Sequence, residues 1–307
     1  MDMYNAIVLA DSISPDGFRV TTMEWTFPRF ILAEANTHRV LSRNSASSRA
    51  IPVERRIDQI SRDPFVPEAF GKNRSGMQAD EALDGDEDRA ARFEWQEAAG
   101  ESIRRAANLS SLNTHKQHAN RLLEPFAWHT AVVTATEWDN WDALRVSKMA
   151  QPEMYKIAGM AREVRLASAP LVVNYGDWHL PYVRGVGDDM PFAAELDMRV
   201  NGIDPVKVSV GRCAAVSYGR QSSKSDMEKA AARCDGLVAN GHMSPLEHAL
   251  RPMSQRELAL FGHPEFVWDK GTSEFVSTGR YRHFLGNVEG WIQYRKLIPG
   301  EAVYKGA

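Results

Sequence analysis

The chain has 307 residues, 43% of them apolar, enough to bury a full core in one large domain or two smaller ones. A net charge of −3 argues against the broad basic face that charge-driven binding to nucleic acid needs, and no run approaches the about 18 apolar residues of a membrane span. Two cysteines, Cys213 and Cys234, make neither a disulfide framework nor a zinc set. The opening Met1-Asp-Met-Tyr-Asn5 has neither the basic nor the apolar region of a secretory signal, so a cytoplasmic protein is expected.

In chain order, residues 4–10 read as a strand, Asp16-Gly17 as a turn and 18–27 as a second, alternating strand. From Phe30 the chain reads as helix, or strand passing into helix, up to Arg39. That element delivers a polar segment, Thr37-His-Arg-Val-Leu-Ser-Arg-Asn-Ser-Ala-Ser-Ser-Arg49, with three arginines, a histidine, an asparagine, four serines and no acidic residue. Forked guanidinium donors among hydroxyls suit a phosphorylated, hydrogen-bond-rich small molecule; a solvated basic loop is the other reading of the same composition. Apolar spacing through Ala90, Phe93, Ala98, Ile103, Ala106 and Ala107 predicts an amphipathic helix over 88–110. A further helix, capped by Asn113 or Thr114, runs to about Leu123 and carries His115, His118 and Arg121. The two histidines lack the carboxylate or thiol that would complete a metal site. A strand over 131–135, a helix bearing Trp138, Trp141 and Leu144, and a helix over 153–168 follow.

Proline and glycine mark 171–205 as a loop-rich connection between 1–170 and 206–307. Beyond it, 206–210 reads as a strand and 226–239 as a helix capped by Ser225 and ended by Asn240-Gly241. The segment 286–296 is polar and aromatic, and is placed at the rim of a site.

The spacing of His38, Arg39, Ser42, Asn44, Ser47 and Arg49 resembles the arginine-rich signature of the flavin-dependent thymidylate synthases. Thr37 stands where that signature opens with Arg, and Ser45 where it has Glu. Arg121-Leu-Leu-Glu-Pro125 resembles the family's Arg-x-x-Leu-Pro element, with Glu124 in place of Leu. Asn140, Arg145 and Ala150-Gln-Pro-Glu153 match a further element at the family's spacing, with Met149 in place of its His. Cys213-Ala-Ala-Val-Ser-Tyr-Gly219 and Gly241-His-Met-Ser-Pro-Leu-Glu-His248 resemble two blocks that come first in the family and last here. This order reads as a circular permutation in which both halves form one unit around a shared site.

The resemblance implies an α+β fold, with helices packed on a mainly antiparallel sheet. It also implies reductive methylation of dUMP to dTMP, with FAD as cofactor and NADPH and methylenetetrahydrofolate as co-substrates. By the same carry-over, Ser47, Ser48, Arg49 and Arg121 hold the substrate phosphate, and Arg145 is the catalytic group at the uracil edge. Thr37, His38, Arg39, Asn44, Ser45, Asn140, His242 and Ser244 line the flavin. Neither cysteine resembles the Pro-Cys nucleophile site of the cysteine-dependent thymidylate synthases. No metal, membrane or nucleic-acid partner is expected, and family sites are shared between subunits of a homotetramer. Three other readings stay open: Arg145 as a helix ion pair with Asp142, an enzyme methylating or hydroxymethylating UMP or dCMP, and a non-catalytic nucleotide-binding relative.

Overall fold

The computed structural model describes residues 3–76, 78–79, 81–183, 193–216 and 223–301. Strands β1 (Asn5–Ile13) and β2 (Arg19–Pro28) form the expected hairpin, with Gly17 at φ +88° in its turn, a conformation that a side chain would strain. After a 3₁₀ turn and the short helix α1 (Leu32–Ala35), the polar segment itself supplies strand β3 (Ser42–Ser45). Helices α2 (Val53–Arg62), α3 (Gly85–Ser111) and α4 (Lys116–Ala119) lead through a 3₁₀ run, Asn120–Phe126, into β4 (Trp128–Ala135). The helix expected to reach about Leu123 is therefore only one turn long, and the run through Pro125, which has no N–H to donate, is wound as 3₁₀. Helices α5 (Asp139–Arg145) and α6 (Pro152–Ala167) precede β5 (Leu171–Val172). The sheet order is β3-β4-β2-β1-β5, antiparallel except where β5 joins β1.

The two faces of this sheet differ because side chains alternate along a strand. Met23, Trp25 and Phe27 share one face with Ala131 and Val133, and there they meet Trp141, Met154, Ile157 and Ala158 from α5 and α6. Trp25 stacks on Trp141 with centroids 5.1 Å apart. Each fully buried side chain of this size contributes roughly 2 kcal/mol, so this face is the main core. The other face carries a buried polar chain. Ser12 bonds His179, His179 bonds Thr22, Thr22 bonds Thr134 and Thr134 bonds His248, at 2.8, 2.8, 2.6 and 2.8 Å.

The C-terminal half covers that polar face. It contains α7 (Ala193–Val200), α8 (Pro205–Ala214), α9 (Lys224–Ala239), a 3₁₀ turn Ser244–Glu247, β6 (Leu250–Pro252) and α10 (Gln255–Phe261). Strands β7 (Gly262–Asp269), β8 (Glu274–Leu285), β9 (Val288–Glu289) and β10 (Trp291–Gln293) follow. Neighbouring strands pair antiparallel in the order β7-β8-β9, while β10 pairs with β6.

Three expectations are corrected here. Residues 206–210 are helix, not strand: Asp204 caps α8 by accepting the Val206 N–H at 2.9 Å, and Pro205 fits its first turn. The alternating valines misled because α8 is buried on most of its circumference, so its apolar positions carry no single-faced period. The cap of α9 is Ser223, whose hydroxyl accepts the Asp226 N–H at 3.2 Å, not Ser225. The connection 171–205 contains β5 and α7. Its 184–192 stretch, and Ser217, Tyr218 and Gly219 of the sequence block, lie outside the described residues.

Helices α8 and α9 approach so closely that a Cβ on Gly211 would stand 1.9 Å from the Ala230 carbonyl oxygen. The architecture is α+β, with ten α-helices among the described residues and mainly antiparallel sheets. No described helix is long and apolar enough to cross a membrane.

Candidate functional site

Asn44 is where the separated signature segments meet. It sits half-buried on β3, at the edge of the main sheet. Its Nδ2 donates to the Cys213 carbonyl at 2.8 Å, and its Oδ1 accepts from Ser244 Oγ at 3.2 Å. Cys213 ends α8 and Ser244 opens the 3₁₀ turn of the Gly-His-Met-Ser-Pro block. One amide thus ties together three segments whose other members lie 169 and 200 residues away. The tail joins them: Gln293 Nε2 donates to Ser42 Oγ at 2.9 Å, and Asn287 Nδ2 donates to the same oxygen at 2.9 Å. Arg295 pairs with Glu247 at 2.5 Å, fastening the tail to the second signature.

His38 and Arg145 form the second part of the cluster. Arg145 Nε donates to His38 Nε2 at 2.8 Å, which leaves the imidazole proton on Nδ1. Burial pushes the His38 pKa below its usual value, and the Arg145 and Arg43 guanidinium groups push it further, so the ring is neutral. Its edge packs on Trp141 with centroids 4.8 Å apart. The remaining Arg145 nitrogens go to the Glu34 carboxylate and, at 3.1 Å, to Thr37 Oγ1. Asp142 instead pairs with Arg165 at 2.5 Å, so the ion pair expected as the alternative role of Arg145 is made by another arginine. Arg43 binds the Ala35, His38 and Asn36 carbonyls at 2.7, 2.9 and 3.2 Å and closes the C-terminal end of α1.

The third part gathers around Glu124, the residue that departs from the family element. Ser48 Oγ donates to its carboxylate, Arg121 pairs with it at 2.9 Å, and Arg29 pairs with it at 3.0 Å. These partners hold the Glu124 pKa below the usual carboxylate value against the opposing effect of burial. Two of the four residues expected at a substrate phosphate are therefore already occupied by an internal carboxylate.

The other expected residues face outward. Arg39, Ser47, Arg49, Asn140 and His242 are exposed and Ser45 is half-buried. Among the described residues, the Arg39 and Arg49 guanidinium groups and the Asn140, His242 and Ser45 side chains have no hydrogen-bond or ion-pair partner. The molecule thus presents an inner set that is mutually satisfied and an outer set of uncommitted donors.

Glu34 took no part in the sequence reading of the site, and Asn287 and Gln293 entered it only within the 286–296 segment placed at the rim. Glu124 had a signal, being a departure at a motif position. The partners of the other three, Arg145 for Glu34 and Ser42 for Asn287 and Gln293, are set only by long-range contacts. His115 Nδ1 caps α4 by accepting the Gln117 N–H at 3.2 Å, and His118 Nε2 bonds Gln117 at 3.0 Å. No group of three or more potential metal ligands occurs among the described residues.

Neither a family model nor a curated protein matches the chain.

Proposed function

We propose that this protein is a flavin-dependent thymidylate synthase that methylates dUMP with methylenetetrahydrofolate, using FAD reduced by NADPH. The observation that carries the reading is the junction at Asn44. Blocks that resemble one family's signatures, though 169 and 200 residues apart, converge on one side chain. Such convergence supports a permuted chain with a shared site, since unrelated motif matches have no reason to meet in space.

The outer set suits the ligands. Arg39, Asn140 and His242 carry donors and no negative charge, the chemistry that a phosphate-rich flavin dinucleotide requires. Bound there, the flavin supplies the hydride that replaces covalent activation by cysteine. Cys213 is buried and closes the Asn44 junction, and burial pushes the Cys234 thiol up to about 12, so neither offers a ready thiolate. Arg145 orients the pyrimidine and stabilises charge developing on its edge, the neutral His38 fixing the guanidinium plane from behind. Arg49 supplies the free phosphate contact, and Arg121 turns to the phosphate by exchanging Glu124 for it.

On this reading the outward set is completed by a neighbouring chain of a homotetramer, and the need for NADPH and folate suits a cytoplasmic enzyme. A second reading keeps the chemistry and changes the pyrimidine to UMP or dCMP. It is favoured by Thr37 receiving Arg145 where the family has an arginine.

The test is tritium release from C5-labelled dUMP, with FAD, NADPH and methylenetetrahydrofolate each omitted in turn. Release that needs flavin and reductant, with dTMP formed when folate is present, is the expected result. Release only from labelled UMP or dCMP selects the second reading. A purified protein that takes up no FAD and releases nothing sinks both.

A further inference from the structure

Away from the signature cluster, a cleft of about 510 Å³ opens between α2 and the ends of β2 and β4. It shares Ala46 with the signature segment and contains none of the residues assigned above to phosphate or flavin. Met3, Ile51, Ile60, Trp128 and Val216 make its apolar wall, and Arg55, Arg56 and Gln59 of α2 stand opposite the β4 residues His129 and Thr130. A volume of this size accommodates an ordinary small-molecule ligand.

The polar groups of this wall are out of balance. Arg56 is only 6% exposed, yet its contacts are the Trp128 carbonyl at 3.3 Å and the Gln59 side chain at 3.5 Å. Among the described residues it has no ion pair. The charges that act on it are Arg29, Glu124 and Arg55, two cations and one anion, and Glu124 is already shared by Arg29, Arg121 and Ser48. A buried guanidinium without a carboxylate is costly, and so it is normally compensated.

His129, 4% exposed, borders the cleft with its ring packed edge-on against Phe27. Its Nδ1 lies 2.9 Å from Arg29 Nη1, which can only donate, so the neutral ring carries its proton on Nε2. That Nε2 has no partner. The N-terminus of α2 also opens here, through Ile51 and Pro52, with no side chain capping it. Of the cleft's carboxylates, Glu24 receives the Tyr182 hydroxyl at 2.5 Å, and neither Glu24 nor Asp63 lies among the charges acting on Arg56.

We propose that this cleft is a second ligand site, which takes a small molecule with an oxyanion, phosphate or carboxylate, on an aromatic or apolar body. The oxyanion sits against Arg56 and Arg55 at the start of α2, and the body lies along Ile51, Ile60 and Trp128. Such a ligand neutralises the buried Arg56 guanidinium, which has no ion pair among the described residues.

The test is calorimetric titration of phenyl phosphate, benzoate and the neutral benzyl alcohol into the full chain, its Arg55→Ala and Arg56→Gln variants, and Arg49→Ala as a control. The expected result is saturable binding of at least one anion and none of the alcohol. Affinity should fall about tenfold in each α2 variant, as for loss of a charge-assisted hydrogen bond, and stay unchanged in the control. Binding of phenyl phosphate alone assigns the site to phosphates, and comparable binding of benzoate assigns it to carboxylates as well. Arg55 is exposed, so that variant tests the site without disturbing the fold. No saturable anion binding up to about 10 mM, equal binding of the alcohol, or affinity lost in the control and kept in both α2 variants overturns the proposal.

Discussion

Two arginines of the same N-terminal half, Arg145 half-buried and Arg56 buried, live under opposite conditions. Arg145 gives all three of its nitrogens to named partners, His38, Glu34 and Thr37. Arg56 is more deeply enclosed and has only a backbone carbonyl and an amide at the far limit of hydrogen bonding. Burial pushes the Arg56 pKa down to about 10, with Arg29 adding to the effect. A guanidinium with a matched carboxylate holds structure together. One without a match marks a place where the charge awaits an external partner. The first lies inside a motif and the second outside any motif, so motif reading alone finds only the balanced one.

Arg145→Ala separates them most strongly. We expect turnover in the C5 tritium assay to fall on the order of 10³-fold, the scale for loss of a group that stabilises developing charge. The same variant should lose about 2 kcal/mol in urea denaturation, because Glu34 is left half-buried without its cation. Full activity in a folded Arg145→Ala protein would remove it from the chemistry.

Asn44→Ala should cost about 2 kcal/mol, since it strands the carbonyl of the buried Cys213, while the exposed Ser244 hydroxyl turns to water. If the two halves were independent, the unfolding transition would stay at the wild-type midpoint.

A pH series sharpens the comparison through the histidines. Burial holds His129 and His248 near about 3, with Arg29 and Arg56 adding to the effect at His129. The unfolded chain, with histidines near about 6.5, binds more protons than the fold between these values. Stability is therefore complete above about pH 6.5 and falls as pH drops toward 3, on the order of 1 kcal/mol per pH unit for each histidine. Carboxylates held low, such as Glu257 at about 2 beside Arg251, lose their contribution only below about pH 4.5. Denaturation midpoints between about pH 6.5 and 4.5 thus report these histidines together with His38, whose pKa burial also lowers, and His129→Gln should flatten that slope measurably. An unchanged slope would show that His129 titrates normally.

The smallest effect belongs to Arg56→Gln. Its stability should lie within about 0.5 kcal/mol of wild type or above it, because the substitution removes an uncompensated buried charge. A loss as large as that in Arg145→Ala would mean that Arg56 already has an internal counter-charge, and the contrast between the two arginines would disappear.

What was legible in the sequence was local. The strand pair around Asp16-Gly17, the long helix α3, the helices at Asp139–Arg145 and Pro152–Ala167, and the polar segment at Thr37 all follow from patterns read within about 20 residues. The resemblance of the signature segments is of the same local kind. Where local rules competed, they failed: the valines of α8 carried a strand-like alternation, and Asp204-Pro205 together with burial on most sides made them helical.

Tertiary structure alone decided which groups answer one another. Nothing near Asn44 in the chain specifies Cys213 and Ser244, and nothing near Arg145 specifies Glu34. Glu124, one substitution within a motif, becomes consequential only when folding brings Ser48, Arg121 and Arg29 to it. The cleft beside α2 has no motif at all, because a charge is uncompensated only in relation to everything packed around it. Backbone periodicity is set by neighbours along the chain and so can be read from sequence. Charge balance is set by neighbours in space, and only the folded molecule establishes it.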